Sequence, residues 1–96
     1  MAYPKVKIFN STNYIASGTV EYMSALCSND HYNVTPNTQW KAKSRGVCLL
    51  TKITATLKTP NGDIVATPYE SSGTSYSDFS IIAGTGNTFR VTRNVS

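Results

Sequence analysis

Apolar and polar residues alternate along this chain in short runs, and no stretch carries the 3.6-residue period of a helix. From Lys5 to Phe9, Val6 and Ile8 share one face and Lys5 and Lys7 the other, which predicts a half-buried strand. Asn10-Ser11-Thr12-Asn13 reads as a turn. Tyr14 to Met23 forms a second strand, with Val20 and Tyr22 on one face and a break expected near Gly18. Ala25 to Asn33 reads as irregular and polar, and Tyr32 to Thr35 as a short strand. Pro36-Asn37 turns the chain into Thr38 to Lys43, where Trp40 and Ala42 face one way and Lys41 and Lys43 the other. Tyr76 to Ala83 is a strand with Phe79 and Ile81 inward. Gly84-Thr85-Gly86-Asn87 is a turn, and Thr88 to Val95 a last strand carrying Phe89, Val91 and Val95 on one face.

The strongest local signal is Val47 to Tyr69, two β-type runs around Thr59-Pro60-Asn61-Gly62-Asp63. A loop of Asn61-Gly62 alone would pair Leu57 with Ala66. A type I turn with Pro60 and Asn61 central, followed by Gly62 as a left-handed bulge, would pair Leu57 with Val65 and Ile53 with Tyr69. Proline favours the first central position of such a turn, and large apolar residues then oppose each other, so the second register is expected. Pro68 lacks a backbone donor and marks its strand as a sheet edge. Strands such as 47–57, apolar on both sides, belong at a sheet centre. Seven or eight short strands separated by turns define an all-β domain, an antiparallel β-sandwich. A small β-barrel is the alternative.

Length and composition bound this reading. Ninety-six residues make one domain, residues 1–96. Thr, Ser and Asn number 13, 11 and 8. This third of the chain suits pleated, half-solvated strands and turns rather than helices. Polar, uncharged faces of this kind lean toward a secreted or cell-surface protein, yet Met1-Ala2-Tyr3-Pro4 runs straight into a strand with no signal peptide visible. No run reaches the roughly 18 apolar residues of a membrane span. The net charge of +4 suits anionic partners such as membranes, acidic glycans or nucleic acid, but keeping a small domain soluble is enough to explain it and is the preferred reading.

Candidate chemistry is sparse. Cys27 and Cys48 are the only cysteines. A disulfide between them would close a loop of about 20 residues and stabilise the domain by roughly 3 kcal/mol. Structural zinc takes four Cys or His ligands at short spacing, and calcium takes clustered oxygens. Cys27, His31 and Cys48 with five scattered acids meet neither requirement, so no metal and no cofactor is expected. The single histidine follows Asp30, but neighbours on a strand point to opposite faces. An Asp30–His31 base is therefore not expected, and with no phosphate loop present the chain reads as a non-enzyme.

The basic stretch Trp40-Lys41-Ala42-Lys43-Ser44-Arg45 is the leading site. Strand alternation would set Lys41, Lys43 and Arg45 on one face, three cations along roughly 13 Å. Trp40 would then point the other way, into the core. Tyr14, Tyr32, Tyr69 and Tyr76 lie beside turns or strand ends, where rigid amphipathic rings can anchor a ligand. Together these features predict a non-catalytic binding module for a glycan, an anionic membrane surface or a protein partner. A structural or assembly subunit packing through sheet faces or edges is the alternative. Single-stranded nucleic-acid binding ranks lower, because it needs aromatics and cations on one exposed face.

Overall fold

The computed structural model describes residues 2–95. It is all-β, with two sheets packed as a sandwich and not closed into a barrel. The strands are β1 (Lys7–Asn10), β2 (Ala16–Tyr22), β3 (Asp30–Val34), β4 (Gln39–Lys41), β5 (Leu50–Ile53), β6 (Thr56–Thr59), β7 (Gly62–Val65), β8 (Tyr69–Thr74), β9 (Asp78–Ala83) and β10 (Phe89–Arg93). One sheet runs β10-β9-β1-β4 and departs from the expected antiparallel pattern at β1 and β9, which pair in parallel because they are far apart in sequence and no hairpin joins them. The other runs β7-β6-β2-β5-β8, with β3 on the free side of β2.

Ten strands replace the expected seven or eight chiefly because two long strands are interrupted. β5 and β6 form one run broken at Thr54-Ala55, and β7 and β8 form its partner broken at residues 66–68. Thr56 pairs with Val65 on one side of the break and Ile53 with Tyr69 on the other. Two residues therefore oppose three, which is a β-bulge. Thr67 uses the bulge to leave this sheet. Its N–H donates to Phe89 O (2.8 Å), and its carbonyl accepts from Val91 N–H (2.9 Å). The bulge thus stitches the sandwich closed along one side, with Pro68 in the part of the strand that lacks ladder bonds.

The hairpin turn follows the expected residues with a different register beside it. Pro60 and Asn61 form the loop, and Gly62 has φ 115°. Gly62 pairs with Thr59, so Leu57 faces Ile64 and not Val65. The extra residue sits at 66–68 rather than at Gly62. That single-residue difference sends Ile64 toward the core and leaves Val65 exposed. Beyond the bulge, Ile53 faces Tyr69 as expected. The strand carrying Pro68 lies at the edge of its sheet, and the β5–β6 run lies inside it.

Alternation sets the core. Val6 and Ile8, Val20, Leu50, Ile53, Leu57, Phe79 and Ile81 are all fully buried between the sheets. Each such side chain contributes about 1.5–3 kcal/mol of transfer free energy. Gly18 does not break β2. It lets the Thr54 carbonyl approach at the β5–β6 interruption, where a Cβ would collide with it, and that carbonyl accepts the Tyr32 hydroxyl at 2.6 Å. Asn10, read as a turn residue, is fully buried. Its amide donates to the Tyr14 and Val34 carbonyls, and its Oδ1 accepts from the Thr12 N–H and hydroxyl.

Candidate functional site

β4 is the edge strand of its sheet and pairs antiparallel with β1. Lys7 stands opposite Lys41, and Ile8 opposite Trp40. The ladder continues past the end of β4 through Ala42 N–H to Val6 O (2.8 Å), which brings Lys5 abreast of Lys43. Val6, Ile8 and Ala42 are buried. Alternation therefore puts Lys5, Lys7, Lys41 and Lys43 together on the outer face. Lys5, Lys41 and Lys43 are exposed and Lys7 is half-buried. The four Cα positions span roughly 5 Å across the strands and 7 Å along them. On its other side Lys7 neighbours Asp78 of β9.

Arg45 is not part of this field. The expected common face of Lys41, Lys43 and Arg45 fails because the strand ends at Lys41 and the chain turns at Gly46, which has φ 54°. Arg45 is turned inward and only 6% exposed. Its Nε donates to Pro4 O (3.1 Å), and its Nη2 donates to Ser75 O (2.7 Å) and Tyr76 O (3.0 Å). Nη1 reaches Thr74 O at 3.5 Å. The guanidinium lies 5.6 Å from the centre of the Tyr3 ring. Burial lowers the Arg45 pKa from its ordinary value, and Tyr22 and Tyr3 oppose that shift. Arg45 thus clamps the N-terminal segment to the β8–β9 connection.

The tyrosines expected as loop anchors do not form an exposed group. Tyr32 is buried, with its ring 5.3 Å from the half-buried Trp40. Tyr14 meets Phe89 edge-on at 6.0 Å, and Tyr69 lies 4.8 Å from Phe79. These three rings cover the core. Only Tyr76 is exposed, and the Arg93 guanidinium stacks on it at 3.8 Å. Rings beside turns cap the open ends of a small sandwich, which accounts for their positions in the sequence.

Cys27 and Cys48 form the disulfide. It ties the β2–β3 connection to the turn that carries Arg45 and Gly46. Around it lie three large apolar side chains that the sequence reading passed over: Met23, Leu26 and Val47, at 54%, 95% and 66% exposure. With Leu49 and the bridge they line a shallow apolar hollow of about 400 Å³. Leu26 falls in the irregular polar stretch beside Cys27, whereas Met23 and Val47 read as strand residues, so alternation carries no sign that all three are exposed together.

A second, polar hollow of about 240 Å³ adjoins the first and shares Leu26 and the disulfide with it. Lys43 of the lysine field lines this hollow, as do Asp30 and Tyr22. The Tyr22 hydroxyl donates to Asp30 Oδ2 at 2.8 Å. Burial first, and the Asp30 bond next, push the Tyr22 pKa well above the ordinary tyrosine value. Asp30 is buried and His31 exposed, so the two neighbours point apart and form no dyad. Among the described residues no three His, Cys, Asp or Glu side chains group as a metal site, and no helix is long and apolar enough to cross a membrane. No protein-family model, curated protein or solved structure matches the chain.

Proposed function

We propose that this chain is a non-catalytic binding module for a densely anionic surface, engaged through Lys5, Lys7, Lys41 and Lys43. The observation that carries the reading is the Lys7–Lys41 register pair. Like charges directly opposite across a ladder are destabilising. Edge strands do carry lysines that block unwanted strand pairing, which would account for Lys41 and Lys43. It does not account for Lys5 and Lys7, because β1 lies between β4 and β9. Lysines are flexible point charges without the fixed fork of arginine. A field of them suits an array of phosphates or sulfates better than one planar anion. Trp40 on the opposite side, packed against Tyr32, offers no stacking platform for single-stranded nucleic acid.

The test compares two variants of equal net charge on dextran sulfate. Lys41→Ser/Lys43→Ser removes two charges from the field, and Lys58→Ser/Arg90→Ser removes two exposed charges elsewhere. The first should lose most of its affinity and the second little. Equal losses would mean that net charge alone drives binding and that the field is not a site.

A further inference from the structure

We infer that the anionic surface is a lipid bilayer, and that the disulfide-bridged end of the sandwich inserts Leu26, Val47 and Met23 into its interfacial layer. The inference rests on the lysine-field reading and gives that field its partner. Its independent observation is that those three exposed side chains cluster around one hollow, which the other exposed large apolar residues, Ile15, Val65, Tyr76 and Val95, do not line. Leu26 at 95% exposure covers no core, and a large apolar group left in water marks an interaction surface when it belongs to a contiguous patch. The three residues belong to one patch, since all of them line the hollow around the bridge.

The neighbourhood selects the occupant. Lys43 and Leu26 line the same polar hollow, so the cationic field begins where the apolar tip ends. The N terminus of the field is held at this end too, since Tyr3 N–H donates to Gly46 O at 2.8 Å. Apolar side chains beside lysines are the arrangement of a protein lying in an interface, with ammonium groups level with anionic headgroups and the tip below them. A protein partner would need roughly 800 Å² per side for a stable complex, which three loop side chains do not supply. The Cys27–Cys48 bridge joins both loops of the tip. Insertion therefore costs little additional ordering, the usual advantage of a preorganised contact.

The experiment uses the oxidised full chain and three probes: phosphatidylserine–phosphatidylcholine vesicles, pure phosphatidylcholine vesicles and dextran sulfate. Leu26→Ser/Val47→Ser keeps the charge and alters only exposed positions. It should bind the anionic vesicles at least tenfold more weakly, roughly the value of burying one or two such side chains, with dextran sulfate affinity unchanged. Lys41→Ser/Lys43→Ser should weaken both anionic probes. In a Leu26→Trp variant, brominated acyl chains should quench the added indole. Vesicle affinity unaffected by Leu26→Ser/Val47→Ser, or an unquenched Trp in the bound state, would overturn insertion while leaving the lysine field standing. Lys41→Ser/Lys43→Ser binding every probe like the parent chain would overturn the field itself, and the inference with it.

Discussion

Lys7 and Lys41 face each other across the β1–β4 ladder, two like charges in direct register on one outer sheet face. Such a pair opposes folding, partly offset by Asp78 on the other side of Lys7, and an anion lying over it would relieve the repulsion. Lys41→Thr should therefore raise stability by about 0.2–1 kcal/mol while weakening binding to anionic arrays. Urea unfolding checks the first effect, and the gain should shrink at high salt as screening removes the repulsion. A destabilised variant would mean that Lys41 has a structural role.

Arg45 predicts the opposite sign. Its guanidinium donates to carbonyls of Pro4, Ser75 and Tyr76 from a buried position. Arg45→Met keeps the apolar stem and strands those acceptors, at a cost of about 3 kcal/mol. The urea midpoint should fall accordingly. A variant as stable as the parent chain would mean that water replaces the clamp. The contrast with Lys41→Thr would separate a scaffold cation from the proposed binding cation within four residues of sequence.

Alkaline pH provides a third test. Burial raises the pKa of both Tyr22 and Tyr32 above the ordinary value. In the unfolded chain each ionises near pH 10, while in the folded chain each stays protonated. The stabilisation is complete below pH 10 and is lost as pH rises through the unfolded value toward the folded ones. Stability should fall above pH 10 by up to about 1.4 kcal/mol per pH unit for each of the two. Phenolate absorbance should show these two of the six tyrosines ionising only as the protein unfolds. Ionisation of all six in the folded protein near pH 10 would contradict their burial.

The disulfide joins cysteines 21 positions apart. Cys27→Ser/Cys48→Ser should lose about 3 kcal/mol, in line with a loop of that size. It should also weaken vesicle binding more than dextran sulfate binding, because the bridge holds the apolar tip and not the lysine field. Equal weakening toward both probes would separate the bridge from the tip.

What the sequence made legible was local. The alternation around Val6 and Ile8, the inward Phe79 and Ile81 and the Pro60-Asn61 turn depend on neighbours within a few residues. The Leu57–Val65 expectation slipped by one because the bulge that sets the register lies at 66–68, where Thr67 bonds to β10. The site was half legible for the same reason. Lys41 and Lys43 followed from alternation, but their partners Lys5 and Lys7 lie more than thirty residues away and meet them only through the β1–β4 pairing. Arg45 misled because alternation was carried past the last strand residue into a turn at Gly46. Tyrosines beside turns can be core caps or ligand anchors, and only packing separates the two.

The most direct test of the central claim is to map amide chemical shifts while titrating the protein with short dextran sulfate oligomers. Saturable shifts confined to Lys5–Ile8 and Trp40–Ser44, and reversed by added salt, are the predicted result. Shifts centred on Lys58 or Arg90, or none at all, would contradict the lysine field as the binding site.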